Sequence, residues 1–155
     1  FLQRAVVTMY GSPVSREIPL YGSKVLGCRS CTLDLHGKPV LRTWTKLAQT
    51  AAARAYEIYL QEAVDWATDS QIMITSTALN GTLEEAETAV VVGVEDGGMR
   101  LRLASPLLYA HLGETRILDG GHAVDFRAEV GLLSRNVVFE GNSPFSQLDR
   151  HGAHI

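Results

Sequence analysis

Glycine punctuates much of this chain, and several of the pieces that end at a glycine are about 5–8 residues long and rich in Val, Ile, Leu and Thr. That spacing leaves little room for long helices and predicts an all-β chain with glycine turns. Ala5-Val6-Val7-Thr8-Met9-Tyr10 stops at Gly11, Thr32-Leu33-Asp34-Leu35-His36 at Gly37, and Asn136-Val137-Val138-Phe139-Glu140 at Gly141. Each piece is strand-sized. Met99-Arg100-Leu101-Arg102-Leu103 alternates strictly, so its apolar side chains share one face and its arginines the other. Gln71-Ile72-Met73-Ile74 and Ala89-Val90-Val91-Val92 are more continuously apolar and are expected to be covered on both faces. The alanine-rich stretch around residues 48–54 has high helix propensity, whereas Tyr56, Ile58 and Leu60 alternate with polar partners. A loop or short helical turn near 48–54 followed by a strand over about 56–61 reconciles the two patterns.

Tyr10-Gly11-Ser12 recurs as Tyr21-Gly22-Ser23, and Leu35-His36-Gly37-Lys38 echoes it. A strand repeated before a glycine turn suits the stacked rungs of a parallel β-helix, while glycine-turned strands equally suit a β-sandwich. Periodicity alone leaves both open.

Apolar residues make up 46% of the 155 and charged residues 20%, enough to form a core and too little charge for a disordered tail. The net charge of −3 lacks the basic footprint of a nucleic-acid binder. No window approaches the roughly 20 apolar residues of a membrane-spanning helix. The chain opens on Phe1 rather than Met and closes on Ala153-His154-Ile155, which predicts a segment of a longer protein. On that reading Ile155 ends in an exposed β edge.

The run Asp125-Phe126-Arg127-Ala128-Glu129-Val130-Gly131-Leu132-Leu133-Ser134-Arg135-Asn136-Val137-Val138 resembles the signature of the extracellular family named for its eight glycines. Ile18-Pro19-Leu20-Tyr21-Gly22-Ser23-Lys24, Leu33 to Val40 and Thr43-Trp44-Thr45-Lys46-Leu47 are similar to the fibrocystin branch of that family. Leu60 to Trp66, Glu85-Ala86-Glu87 and Pro106 to Gly113 follow in the family's order. The resemblance implies a secreted or cell-surface β domain over 1–135 that lacks its amino-terminal edge. It further implies that the first rungs of a right-handed parallel β-helix begin at 136–155. It covers two functional classes: non-catalytic adhesion or receptor modules of ciliary and other cell-surface membrane proteins, and hyaluronan-degrading depolymerases; a carbohydrate-binding β domain without turnover is a third, generic reading. The implied partners are other extracellular domains of the same chain, glycans or surface proteins, with no nucleic acid, no cofactor, and membrane contact only through the rest of the parent.

Arg127 matches an arginine implicated in activity in the hyaluronan-degrading branch. On a strand, Asp125 and Arg127 would share a face with Glu129 next along, and an Arg–carboxylate fork can hold a junction or grip a sugar carboxylate. Glycoside hydrolysis needs two carboxyls about 5–9 Å apart. Asp125, Glu129 and Asp149 are the candidates, while Glu85 and Glu87 read as a solvated surface pair. His151 and His154, like His111 and His122, lack a third ligand, so no metal site is expected. Cys28-Arg29-Ser30-Cys31 has neither a second ligand pair for zinc nor a redox βαβ setting. It reads as a turn, where the extracellular setting implied by the resemblance favours a local disulfide over two free thiols. Asn80-Gly81-Thr82 is a glycosylation sequon. Trp44 and Trp66 are expected to pack rather than to serve as sugar platforms.

Overall fold

The computed structural model describes residues 3–78 and 84–153. In chain order the strands are β1 (Ala5–Met9), β2 (Trp44–Lys46), β3 (Glu57–Tyr59), β4 (Gln71–Ile74), β5 (Glu87–Glu95), β6 (Arg100–Leu103), β7 (Thr115–Ile117), β8 (Ala123–Asp125), β9 (Glu129–Leu132) and β10 (Val137–Gly141). Helical structure among the described residues is confined to α1 (Phe145–Leu148) and a 3-10 turn at Asp96–Gly98. The chain is all-β, as its glycine spacing requires. It divides into two compact units, the described residues of 40–134 and those of 1–39 with 135–155.

The 40–134 unit is a curled antiparallel sheet of six strands in the order β2-β9-β4-β5-β6-β3. Its two outer strands meet: Leu47 bridges Leu60, the Ala48 N–H donates to the Tyr59 carbonyl at 2.8 Å, and the Gln61 N–H donates to the Lys46 carbonyl at 2.8 Å. The curl therefore closes on itself, and the unpaired backbone groups that an open sheet edge presents are paired internally. Leu47, Leu60, Ile72, Ile74 and Leu101 are fully buried in its interior. Each contributes about 1.5–3 kcal/mol by leaving water.

Alternation places these side chains. In β6, Leu101 and Leu103 point inward while Arg100 and Arg102 face out, as the strict alternation predicts. In β4, Ile72 and Ile74 point inward, but Met73 is exposed, and in β5 both Val90 and Val92 are exposed around buried Val91. The expectation that 71–74 and 89–92 are covered on both faces is corrected. A curled antiparallel sheet has one face on the core and one outside, so a continuous apolar run leaves half its side chains out. The alanine-rich stretch forms no helix: the Ala55 N–H closes a turn onto the Ala52 carbonyl at 3.1 Å, and Ala51 instead pairs with His111. Tertiary pairing overrides alanine propensity here.

In the other unit, β1 and β10 pair in parallel over five residues, Ala5 opposite Val137 through Met9 opposite Gly141. Two expectations fail nearby. Thr32–His36 forms no strand, and Leu33 and Leu35 are exposed. Of the three glycine echoes only Tyr10-Gly11-Ser12 follows a strand, β1; at the second, Ile18 and Gly22 close a tight hairpin, with Leu20 and Gly22 at positive φ.

Candidate functional site

The signature run crosses from β8 into β9, and Arg127 lies between the two strands rather than within one. The bend lets Arg127 fold back on Asp125. Its Nε donates to Asp125 Oδ1 at 2.8 Å, its Nη2 to Oδ2 at 3.0 Å, and its backbone N–H to Oδ1 at 3.1 Å. Lys46 of β2 adds its Nζ to Asp125 Oδ2 at 2.9 Å. The Arg127 guanidinium first, then Lys46, hold the Asp125 carboxyl far below the usual carboxylate range. A carboxyl held ionised this firmly does not donate a proton as a general acid.

Glu129 does not join this fork. It lies opposite Lys46 in the β2·β9 register, its carboxylate is exposed, and its N–H donates to Thr75 Oγ1 at 2.9 Å. Asp149 caps the C-terminal end of α1 in the other unit. The bidentate side of Arg127 that would hold a sugar carboxylate is already filled by Asp125.

The second polar cluster lies in the interior, where the sequence gives little sign of one. Glu87, expected to be a solvated surface carboxylate, is instead almost covered, with 9% of its side chain exposed. It accepts the Leu108 N–H at 2.9 Å, the Tyr109 N–H at 3.1 Å and His111 Nε2 at 2.8 Å. Burial opposes its charge, yet the Leu108 and Tyr109 amides together with His111 outweigh burial and hold the carboxyl below its ordinary value. Glu85 lies outside β5 and shares none of these bonds, so the two do not act as a pair. The signal that could have found the cluster was the match of Glu85 to Glu87 and of Pro106 to Gly113 in the family's order.

Stability supplied by Glu87 is therefore complete above the range where a free glutamate titrates, near ~4.3, and is lost as pH falls through its lower folded value. Urea midpoints of the wild-type chain and of Glu87→Gln are expected to lie far apart at neutral pH and to converge in acid. A pH-independent gap would contradict this.

Cys28 and Cys31 are joined by a disulfide with Cα atoms 5.6 Å apart, across a turn in which Ser30 has positive φ. His151 Nε2 lies 2.8 Å from Ser23 Oγ, and its carbonyl accepts the buried Lys24 Nζ at 3.0 Å. His154 and Asn80 lie outside the described residues. His122 is exposed in the β7–β8 turn, and among the described residues no three side chains gather as metal ligands. Trp66 is buried and donates its Nε1–H to the Arg42 carbonyl at 2.7 Å. Trp44, expected to pack, is 54% exposed on the outer face of β2, opposite Gly131, which has no side chain to cover it.

Comparison with known proteins finds relatives along most of the chain. Residues 1–48 match the G8 domain family, and the chain is 43% identical to mouse fibrocystin-L over 92% of its own length. Its first 48 residues are thus similar to the G8 domain. It is also 34% identical to mouse fibrocystin over 92% of its length, and 30% identical to a G8 domain-containing protein of Dictyostelium discoideum over 87%. It spans 3% of fibrocystin-L and of fibrocystin, and 9% of the Dictyostelium protein. Among solved structures, the tailspike protein gp49 of Pseudomonas phage LKA1 aligns with 64% of this chain and 17% of its own, at 13% identity and a TM-score of 0.41. The G8 match ends at residue 48, just past β2, so the ion cluster of Lys46, Asp125 and Arg127 ties its last strand to the signature run.

Proposed function

We propose that this chain is a non-catalytic architectural module of an extracellular, fibrocystin-like cell-surface protein, acting in adhesion or receptor assembly on a cilium or similar projection. In this reading β1 and β10 form the opening rung of a right-handed parallel β-helix. The observation that carries it is the in-register parallel pairing of two segments that are 132 residues apart at every pair. Parallel strands are stable when both faces are covered, yet Val6 is 42% and Val7 45% exposed on this pair. Further rungs of the parent would cover them. The Asn80 sequon and the Cys28–Cys31 bridge suit a secretory route.

The arrangement at Asp125 supports the non-catalytic reading, because the Arg127 fork and the carboxylate beside it neutralise each other. Partners are then other extracellular domains of the same chain, and glycans or surface proteins engaged by them. Zymography of the full-length parent on hyaluronan is expected to leave polymer length unchanged. Shortening of the polymer that disappears in Arg127→Lys would replace this reading with that of a glycan depolymerase.

A further inference from the structure

His111 is 0% exposed, in the interior of the curled sheet. Its main chain is fixed independently of its ring: its N–H donates to the Ala51 carbonyl and its carbonyl accepts the Ala51 N–H, both at 2.9 Å. The ring therefore meets its neighbours in a set orientation. Nδ1 lies 3.0 Å from the Thr75 carbonyl oxygen and Nε2 2.8 Å from Glu87 Oε1.

Both partners are acceptors. A carbonyl oxygen has no proton to give, and Glu87 is held as a carboxylate by the Leu108 and Tyr109 amides. Neutral imidazole has one donor and one acceptor nitrogen. Either neutral tautomer would aim a nitrogen lone pair at an oxygen lone pair within bonding distance, with no water access to relieve it. The imidazolium, with two donors, satisfies both contacts. Among the described residues, Glu87 is the one carboxylate within ion-pair distance of the ring. Thr75 and the 49–52 segment present main-chain groups to His111, and Glu129, which donates its amide to Thr75 Oγ1, keeps its carboxylate exposed.

We infer that the His111 ring donates from both nitrogens, a buried imidazolium that latches the 106–113 segment onto β5 through Glu87. The segment it holds carries Leu107, which is buried, and the two amides that Glu87 accepts. A neutral ring would leave either the Glu87 carboxylate or the Thr75 carbonyl facing an unprotonated nitrogen in a buried site, and breaking a buried pair in this way is costly.

The test is a long-range proton–nitrogen NMR correlation on the histidine-labelled 155-residue chain at neutral pH. Both His111 ring nitrogens are expected at the protonated position with slowly exchanging protons. One protonated and one bare nitrogen would overturn the inference. In Glu87→Gln the ring is expected to become neutral while the sheet signal in circular dichroism persists. A ring still doubly protonated there would remove Glu87 from the latch. If that variant does not fold, the wild-type ring measurement decides alone.

Discussion

Gly113→Ala is expected to lower the stability of the 40–134 unit by about 3 kcal/mol or more, read as a drop in urea midpoint at unchanged slope. A Cβ at this position would lie 2.0 Å from the Gln49 carbonyl carbon, 2.2 Å from its oxygen and 2.5 Å from the Thr50 nitrogen. These are main-chain atoms, so no rotamer change relieves the overlap. The contact is close because the 49–51 and 111–113 segments pair directly: Ala51 bridges His111, and the Gly113 N–H donates to Thr50 Oγ1 at 3.1 Å. Separating them to admit a methyl group would also strain the Ala51–His111 bridge. Gly131→Ala is the control. It sits in β9 with nothing within 4 Å of the added carbon, so that variant is expected to be neutral or slightly stabilising through the lower entropy of its unfolded chain. Equal losses in the two variants would mean that the close approach is not what glycine serves at position 113.

Leu60→Ala is expected to cost about 2–5 kcal/mol and to lower the cooperativity of unfolding. Leu60 and Leu47 are both 0% exposed and face each other across the bridge that joins β2 to β3. Truncation removes apolar burial and opens a cavity at the seam of the curled sheet. The hydrogen-bonding partners beside it, Ala48 with Tyr59 and Gln61 with Lys46, lose their shield from water. The expected signature is faster amide exchange at Ala48 and Gln61 than at Ile72, which is fully buried on the central strand β4. A loss under about 1 kcal/mol would show that the seam is held by backbone pairing alone.

Which segments become strands was readable where alternation is strict. The arginine-leucine repeat of β6 falls where the pattern puts it, whereas the apolar run Gln71–Ile74 was readable as a strand but not in which side chains it buries. Thr32–His36 shows the limit, because its composition suits a strand but no partner segment pairs with it. Strand formation depends on what lies alongside, which a local pattern does not encode. The same holds for β1 and β10, readable as strands but not as a parallel pair.

The candidate site divides similarly. Asp125 and Arg127 were legible as a pair from a two-residue spacing, although the spacing works through a bend and not along a strand. Lys46 was not, being 79 residues away from Asp125. Glu87 and His111 were both visible, but each was read beside the wrong companion. Their pairing arises from contact across the sheet interior and leaves no spacing signature.

The 40–134 unit also has a topological property with practical use. It begins at β2 and ends at β9, and these strands are direct neighbours, Trp44 opposite Gly131 and the Leu132 N–H bonded to the Thr43 carbonyl at 2.8 Å. Chain entry and chain exit are thus side by side. Such a unit behaves as a cassette: spliced into an exposed loop of an unrelated carrier, it would bring its own closed sheet and add little loop-closure entropy to the host. Long multidomain chains can lengthen or diversify at such a point without re-registering the strands on either side of the insertion.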